Sequence, residues 1–156
     1  MLTTLKTKTL AFLTLLLVSL SAASCHIQMV ADYDDGMMQQ IETTAKEVDR
    51  FYLQMLEGTT EADGGRAYSV FQKQYIDFEV ELNSLLMKNK IKPLNESSTR
   101  ICEITLELWR KYKTEHQKDN TLSNGIIRLN RKTFDDLFFA MQSAEKGKQI
   151  STNPPQ

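Results

Sequence analysis

The chain has 156 residues, 41% of them hydrophobic and 25% charged, with 19 basic against 20 acidic side chains and a formal net charge of −1. That is the length of one ordinary globular domain. Six Gly and three Pro exclude collagen-like and Pro-rich low-complexity chains, and the apolar share is too large for wholesale disorder.

The first ten residues, MLTTLKTKTL, carry Lys6 and Lys8 and no acid, and lead into an apolar stretch from Leu10 to Leu20 diluted only by Thr14 and Ser19. A basic start and an apolar middle are the parts of an export signal. The stretch is shorter than the roughly 20 residues that cross a bilayer. Small residues, Ser21 to Ser24, follow it at once, so a removable leader is expected over 1–24.

The run Leu20-Ser21-Ala22-Ala23-Ser24-Cys25 resembles the lipobox of bacterial lipoproteins. The resemblance implies a diacylglycerol on the Cys25 thiol, cleavage before Cys25 and acylation of the new amino group. Ala22 stands where that family most often has Leu. Residue 26 is His rather than the Asp that commonly retains such proteins at the inner membrane, which implies the periplasmic face of the outer membrane. Two or three acyl chains, at about 0.8 kcal/mol per buried CH₂, make an effectively permanent anchor. The order of aromatic and acidic residues in DRFYLQMLE and VFQKQYIDFE is also similar to small uncharacterised helical envelope lipoproteins of Gram-negative bacteria. That likeness spans most of the mature chain and brings no known activity.

A second reading stays open. Ordinary cleavage near Ala23 or Ser24 leaves Cys25 as a thiol, and Cys102 is the only other cysteine. A Cys25–Cys102 disulfide would then pin the N-terminal arm to the third helix of a soluble secreted protein that binds an apolar ligand or a host factor. If Cys25 is acylated instead, Cys102 is a lone thiol, expected on the inner flank of the bundle and inert. Without residues 1–24 the chain keeps 17 basic and 20 acidic residues, a net charge of −3, so nucleic acid is not an expected partner.

Beyond a tether over 25–33, four apolar stripes recur in steps of three and four, the signature of helices. The first runs through Met38, Ile41, Ala45, Val48, Tyr52 and Met55, with Asp34 as its cap and Gly58 at its end. The loop GTTEADGG leads to Tyr68, Phe71, Tyr75, Phe78, Leu82 and Leu85. Pro93 breaks that helix and Asn95 is placed to cap the next, whose stripe is Ile101, Ile104, Leu108 and Tyr112. A flank of Cys102, Leu106 and Trp109 lies about 100° away and widens the apolar arc. Although CEITLEL alternates like a strand, its continuation WRKYKTEHQK does not, so helix is preferred. The fourth stripe is Ile127, Phe134, Leu137, Met141 and Ala144, after a turn capped by Thr121 or Ser123, with Asn130 where an apolar residue was due.

The expected fold is all-α: an antiparallel up-down-up-down four-helix bundle over 34–146, its helices about 35–39 Å long, with a disordered tail over 147–156. A tether of eight or so residues reaches about 15 Å and holds the bundle near the leaflet.

No motif declares an enzyme. Glu-x-x-His pairs are absent, His26 lies in the tether, and His116 reads as a surface residue favoured by a helix C-terminus. The acids Asp32, Asp34 and Asp35 lack the bidentate Glu of a calcium loop, for Thr43 holds that place. The turn Asp63-Gly64-Gly65-Arg66 lacks the spacing of a phosphate loop. No metal or cofactor is therefore expected. The second-helix aromatics read as core, Asn130 as either a buried register residue or a surface one, and the arc at Leu106 and Trp109 as the candidate partner surface. Asn95-Glu96-Ser97 matches a glycosylation acceptor, which counts only in a eukaryotic source. The expected function is a non-catalytic, membrane-anchored periplasmic protein that binds or positions another envelope protein.

Overall fold

A computed structural model describes residues 29–152. Four helices account for most of them: α1 (Asp35–Glu57), α2 (Tyr68–Lys90), α3 (Glu96–Asp119) and α4 (Asn124–Thr152). Leader, Cys25 and His26 lie outside the described residues. Neighbouring helices pack in the cyclic order α1, α2, α3, α4, with the fullest contacts between α1 and α4 and between α2 and α3. Contacts such as Asp34 to Glu145 and Tyr75 to His116 join the start of one helix to the end of its neighbour, so the bundle is antiparallel. Among the described residues no helix is long and apolar enough to cross a membrane.

Local chemistry accounts for most helix ends. The Asp34 carboxylate accepts the Met37 N–H at 3.0 Å and begins α1. Gly58 ends it, where a Cβ would come within 2.7 Å of the Gln54 carbonyl oxygen. No side chain of its own caps α2. Instead Asn120, left-handed at φ 52° just past α3, accepts the Tyr68 N–H on Oδ1 at 3.0 Å. Asn tolerates that conformation, so one residue both closes α3 and satisfies the start of α2. Ser123 accepts the Ile126 N–H at the start of α4.

Asn95 does not cap α3 through its side chain. Its Nδ2 instead donates to the carbonyl and side-chain oxygens of Asn89 at 3.1 and 2.8 Å, sealing the end of α2. Of the tail expected over 147–156, residues 147–152 continue α4 and residues 153–156 lie outside the described residues. A helical Gly costs only about 1 kcal/mol against Ala. Lys148 is buried and donates to the buried Glu145 at 2.5 Å, which ties this turn to the bundle.

The centre of the molecule is aromatic. Phe51 meets Tyr52, Phe71, Tyr75, Phe78 and Trp109 at ring-centroid distances of 4.9–5.8 Å, four of the five edge to face. Such pairs contribute about 0.5–1.5 kcal/mol each beyond area burial. In α3 the roles of the two apolar rows are exchanged. Cys102, Leu106 and Trp109 form the core, while Ile101, Leu108 and Tyr112 pack half-buried against it. Likewise Met37 rather than Met38, and Phe138 rather than Leu137, are the fully buried members of α1 and α4.

Candidate functional site

The expected partner surface at Leu106 and Trp109 does not exist as a surface. Leu106 is 3% exposed and Trp109 fully enclosed, its indole N–H donating to the Tyr75 carbonyl at 3.0 Å. The wide arc on α3 is consumed by its two neighbours, α2 and α4, and a buried indole finds a backbone acceptor there. Asn130 is also buried, inside the seam of α4. Cys102 lies in the core as expected, accepting from Asn89 Nδ2 at 3.3 Å, and burial pushes its thiol up to about 11.

His116 is a core residue rather than a surface one. Its Nε2 lies 2.7 Å from the Arg66 carbonyl, which only accepts, so Nε2 carries the proton. Nδ1 then accepts from the Tyr75 hydroxyl at 3.0 Å. Burial lowers its pKa, against the smaller opposing effect of the carbonyl. Arg66 is buried too, with Nη1 and Nη2 donating to the carbonyls of Leu122 and Thr59 at 3.0 and 3.3 Å. The Asp63–Arg66 turn is thus a latch between the two loops at this end of the bundle. Among the described residues no cluster of His, Cys, Asp or Glu is placed to hold a metal ion.

At the opposite end the entering chain is fastened to the bundle. The Ala31 N–H donates to the Leu94 carbonyl at 3.0 Å, and the Asp34 N–H to Glu145 Oε1 at 2.8 Å. Lys92 pairs with the Asp34 carboxylate at 2.7 Å and holds it below its usual range, helped by the Met37 N–H. Asp34 is therefore both a cap and a clasp.

Sequence reasoning missed the apolar residues that remain outside. Val70, Ile76, Val80 and Met87 stand exposed on the outer side of α2. Grooves flank this face on both sides. One of about 540 Å³ runs between α1 and α2, with Phe51, Phe78 and Val80 among Glu47, Arg50, Lys73, Asp77 and Glu81. Another, of about 370 Å³, runs between α2 and α3 past Ile76, Val80, Arg110 and Lys113. Glu79 at its rim accepts from Lys113 and Arg110, each at 2.8 Å, and Lys113 chiefly lowers its pKa. A third apolar group, Met38, Phe139 and Ile150, lines a groove between α1 and α4. The available signal was the surplus of apolar residues in α2 beyond those its inward stripe requires, since a half-exposed helix ordinarily carries polar residues there.

Comparison with protein families, with characterised proteins and with solved structures finds no match to this chain.

Proposed function

We propose that the chain is a lipid-anchored protein of the bacterial outer membrane, facing the periplasm, whose bundle binds or positions another envelope protein without catalysis. The observation that carries this reading is the run Leu20–Cys25 behind a basic and apolar leader, the pattern that acylation of Cys25 requires. The architecture is compatible with it. Ala31, six positions after Cys25, is already fastened to the bundle, so an anchor at Cys25 would hold the domain against the leaflet.

The outer face of α2 suits the binding role. A partner helix laid along it would cover Ile76 and Val80 and set its flanking charges against Arg50, Lys73, Asp77 and Glu81. An apolar strip within a mixed-charge rim is the common form of helix-in-groove recognition. Two observations count against the secreted alternative. The Cys102 thiol is enclosed by the core, so a disulfide to Cys25 would require the bundle to open. Asn95, the glycosylation candidate, is buried and engaged with Asn89.

Intact mass of the protein expressed from its full gene in a bacterium, beside a Cys25→Ala variant and with membrane fractionation of both, tests the reading. A mature species beginning at Cys25 with acyl mass, lost in the variant, supports it. An unmodified soluble species overturns it. For the α2 face, Val80→Glu should abolish photo-crosslinks that a reporter at position 76 makes to an envelope protein.

A further inference from the structure

The end of the bundle that receives the tether is capped by exposed apolar side chains. Met29, Ile91 and Leu94 are 83%, 78% and 45% exposed. They belong to one corner, because the Ala31–Leu94 hydrogen bond holds the entering chain against the α2–α3 connection and Ile91 begins that connection. Leu94 is held there at φ 57°, a conformation that a bulky side chain rarely adopts. Strain of this kind persists only where surrounding contacts impose it, and it presents an apolar side chain beside Pro93 at the tip of the molecule.

The chain preceding this corner limits what can cover it. Six residue steps separate Cys25 from Ala31, at most about 20 Å when fully extended. We infer that Met29, Ile91 and Leu94 form a lipid-contacting tip that seats the bundle end-on in the interfacial layer of the leaflet that holds the Cys25 acyl chains. This rests on the acylation of Cys25 proposed above. The nearby lysines do not make the contact electrostatic, for Lys92 pairs with Asp34 at 2.7 Å, Lys90 with Glu103 at 3.2 Å, and Lys88 donates to Gln40. Seating therefore depends on apolar insertion and is insensitive to the anionic lipid content. End-on seating directs the loops around Asp63 and Asn120 away from the leaflet by the length of a helix, about 35 Å for the 23 residues of α2. The grooves beside α2 then stand upright and open to the periplasm. The competing arrangement is side-on, through Phe139 and Ile150 of α4.

The test uses the full chain, acylated in a bacterium and reconstituted into phosphatidylethanolamine–phosphatidylglycerol vesicles. Single substitutions Met29→Cys, Ile91→Cys, Asp63→Cys and Phe139→Cys carry an environment-sensitive thiol fluorophore. Acylated Cys25 and buried Cys102 do not compete for the label. Nitroxide-bearing acyl chains should quench the labels at 29 and 91 severalfold more than those at 63 and 139, with and without phosphatidylglycerol. Circular dichroism verifies that each variant is folded, and two tip positions guard against one that is not. Acylated protein with labels 29 and 91 as unquenched as 63 overturns the tip alone, and strongest quenching at 139 overturns it in favour of side-on seating. Absence of acyl mass overturns the anchor, and the tip with it.

Discussion

The carboxylate of Glu145, about two turns before the end of the longest helix, accepts the backbone N–H of Asp34, the cap of the first, at 2.8 Å. Its other oxygen accepts from Lys148 at 2.5 Å. One buried acid thus joins the start of α1 to α4 and ties the turn at Lys148 to the bundle. Glu145→Ala removes the acceptor of the Asp34 N–H and the carboxylate that pairs with Lys148. Breaking a buried charged pair from one side costs about 3–5 kcal/mol. Urea unfolding should show a loss of that size, and amide exchange should show the last two turns of α4 opening first. The double variant Glu145→Leu, Lys148→Met should recover most of the stability, because it leaves neither charge of this pair buried alone. Unchanged stability in Glu145→Ala would contradict this role.

His116 makes stability depend on mildly acidic pH. Burial lowers its folded-state pKa below the unfolded value of about 6.5, so the unfolded chain binds the proton more readily. Its contribution is complete above that value and declines as pH falls from about 6.5 toward the folded pKa. His116→Gln, which keeps an N–H for the Arg66 carbonyl, should flatten the stability curve between about pH 7 and 5 relative to the parent. Asp34 and Glu79, whose pKa values are lowered by Lys92 and Lys113, act in a separate window. Their stabilisation is complete above about pH 4.5 and is lost as pH falls through their folded values. Equal slopes near pH 6 in parent and variant would exclude His116 as the source.

Cys102 should be inert in the folded protein. A thiol pushed up to about 11 by burial contributes almost no thiolate at neutral pH, and the core around it excludes reagents. Aromatic disulfide reagents at pH 8 should react with it only as fast as the bundle opens, and at full speed in denaturant. Rapid reaction of the native protein would show that this part of the core is accessible.

A change at Leu94 tests the proposed membrane contact separately from stability. Glycine adopts its φ of 57° without steric conflict, so Leu94→Gly should leave stability unchanged or raise it by up to about 1 kcal/mol. The same change removes an apolar side chain from the tip and should weaken lipid quenching of a label at position 91. A clear loss of stability would show that the side chain is needed for packing, despite its exposure.

Helix existence and order were legible in the chain itself, because steps of three and four and the breaks at Gly58, at Pro93 and in the turn at Thr121 and Ser123 are local properties of neighbouring residues. Asp34 as a cap and Gly58 as a stop were legible for the same reason: a carboxylate three residues from an N–H and a missing Cβ act within one turn. The core face of α3 was not. Its two apolar rows are equivalent along one helix, and only the position of α2 and α4 decides which is enclosed. That choice moved Leu106 and Trp109 from a candidate surface into the core and left Ile76, Val80 and Met87 outside on α2.

Polar residues show the same division. Whether His116 faces water, whether Asn95 caps its own helix or its neighbour's end, and whether Gly147 stops α4 depend on acceptors 6 to more than 100 residues away: Asn89, Arg66 and the bond from Asp34 to Glu145. The sequence by itself determined the four helices, their order and most of their ends. Only the tertiary structure decided which apolar residues are core and which are surface, because burial belongs to the meeting of two helices and not to either one alone.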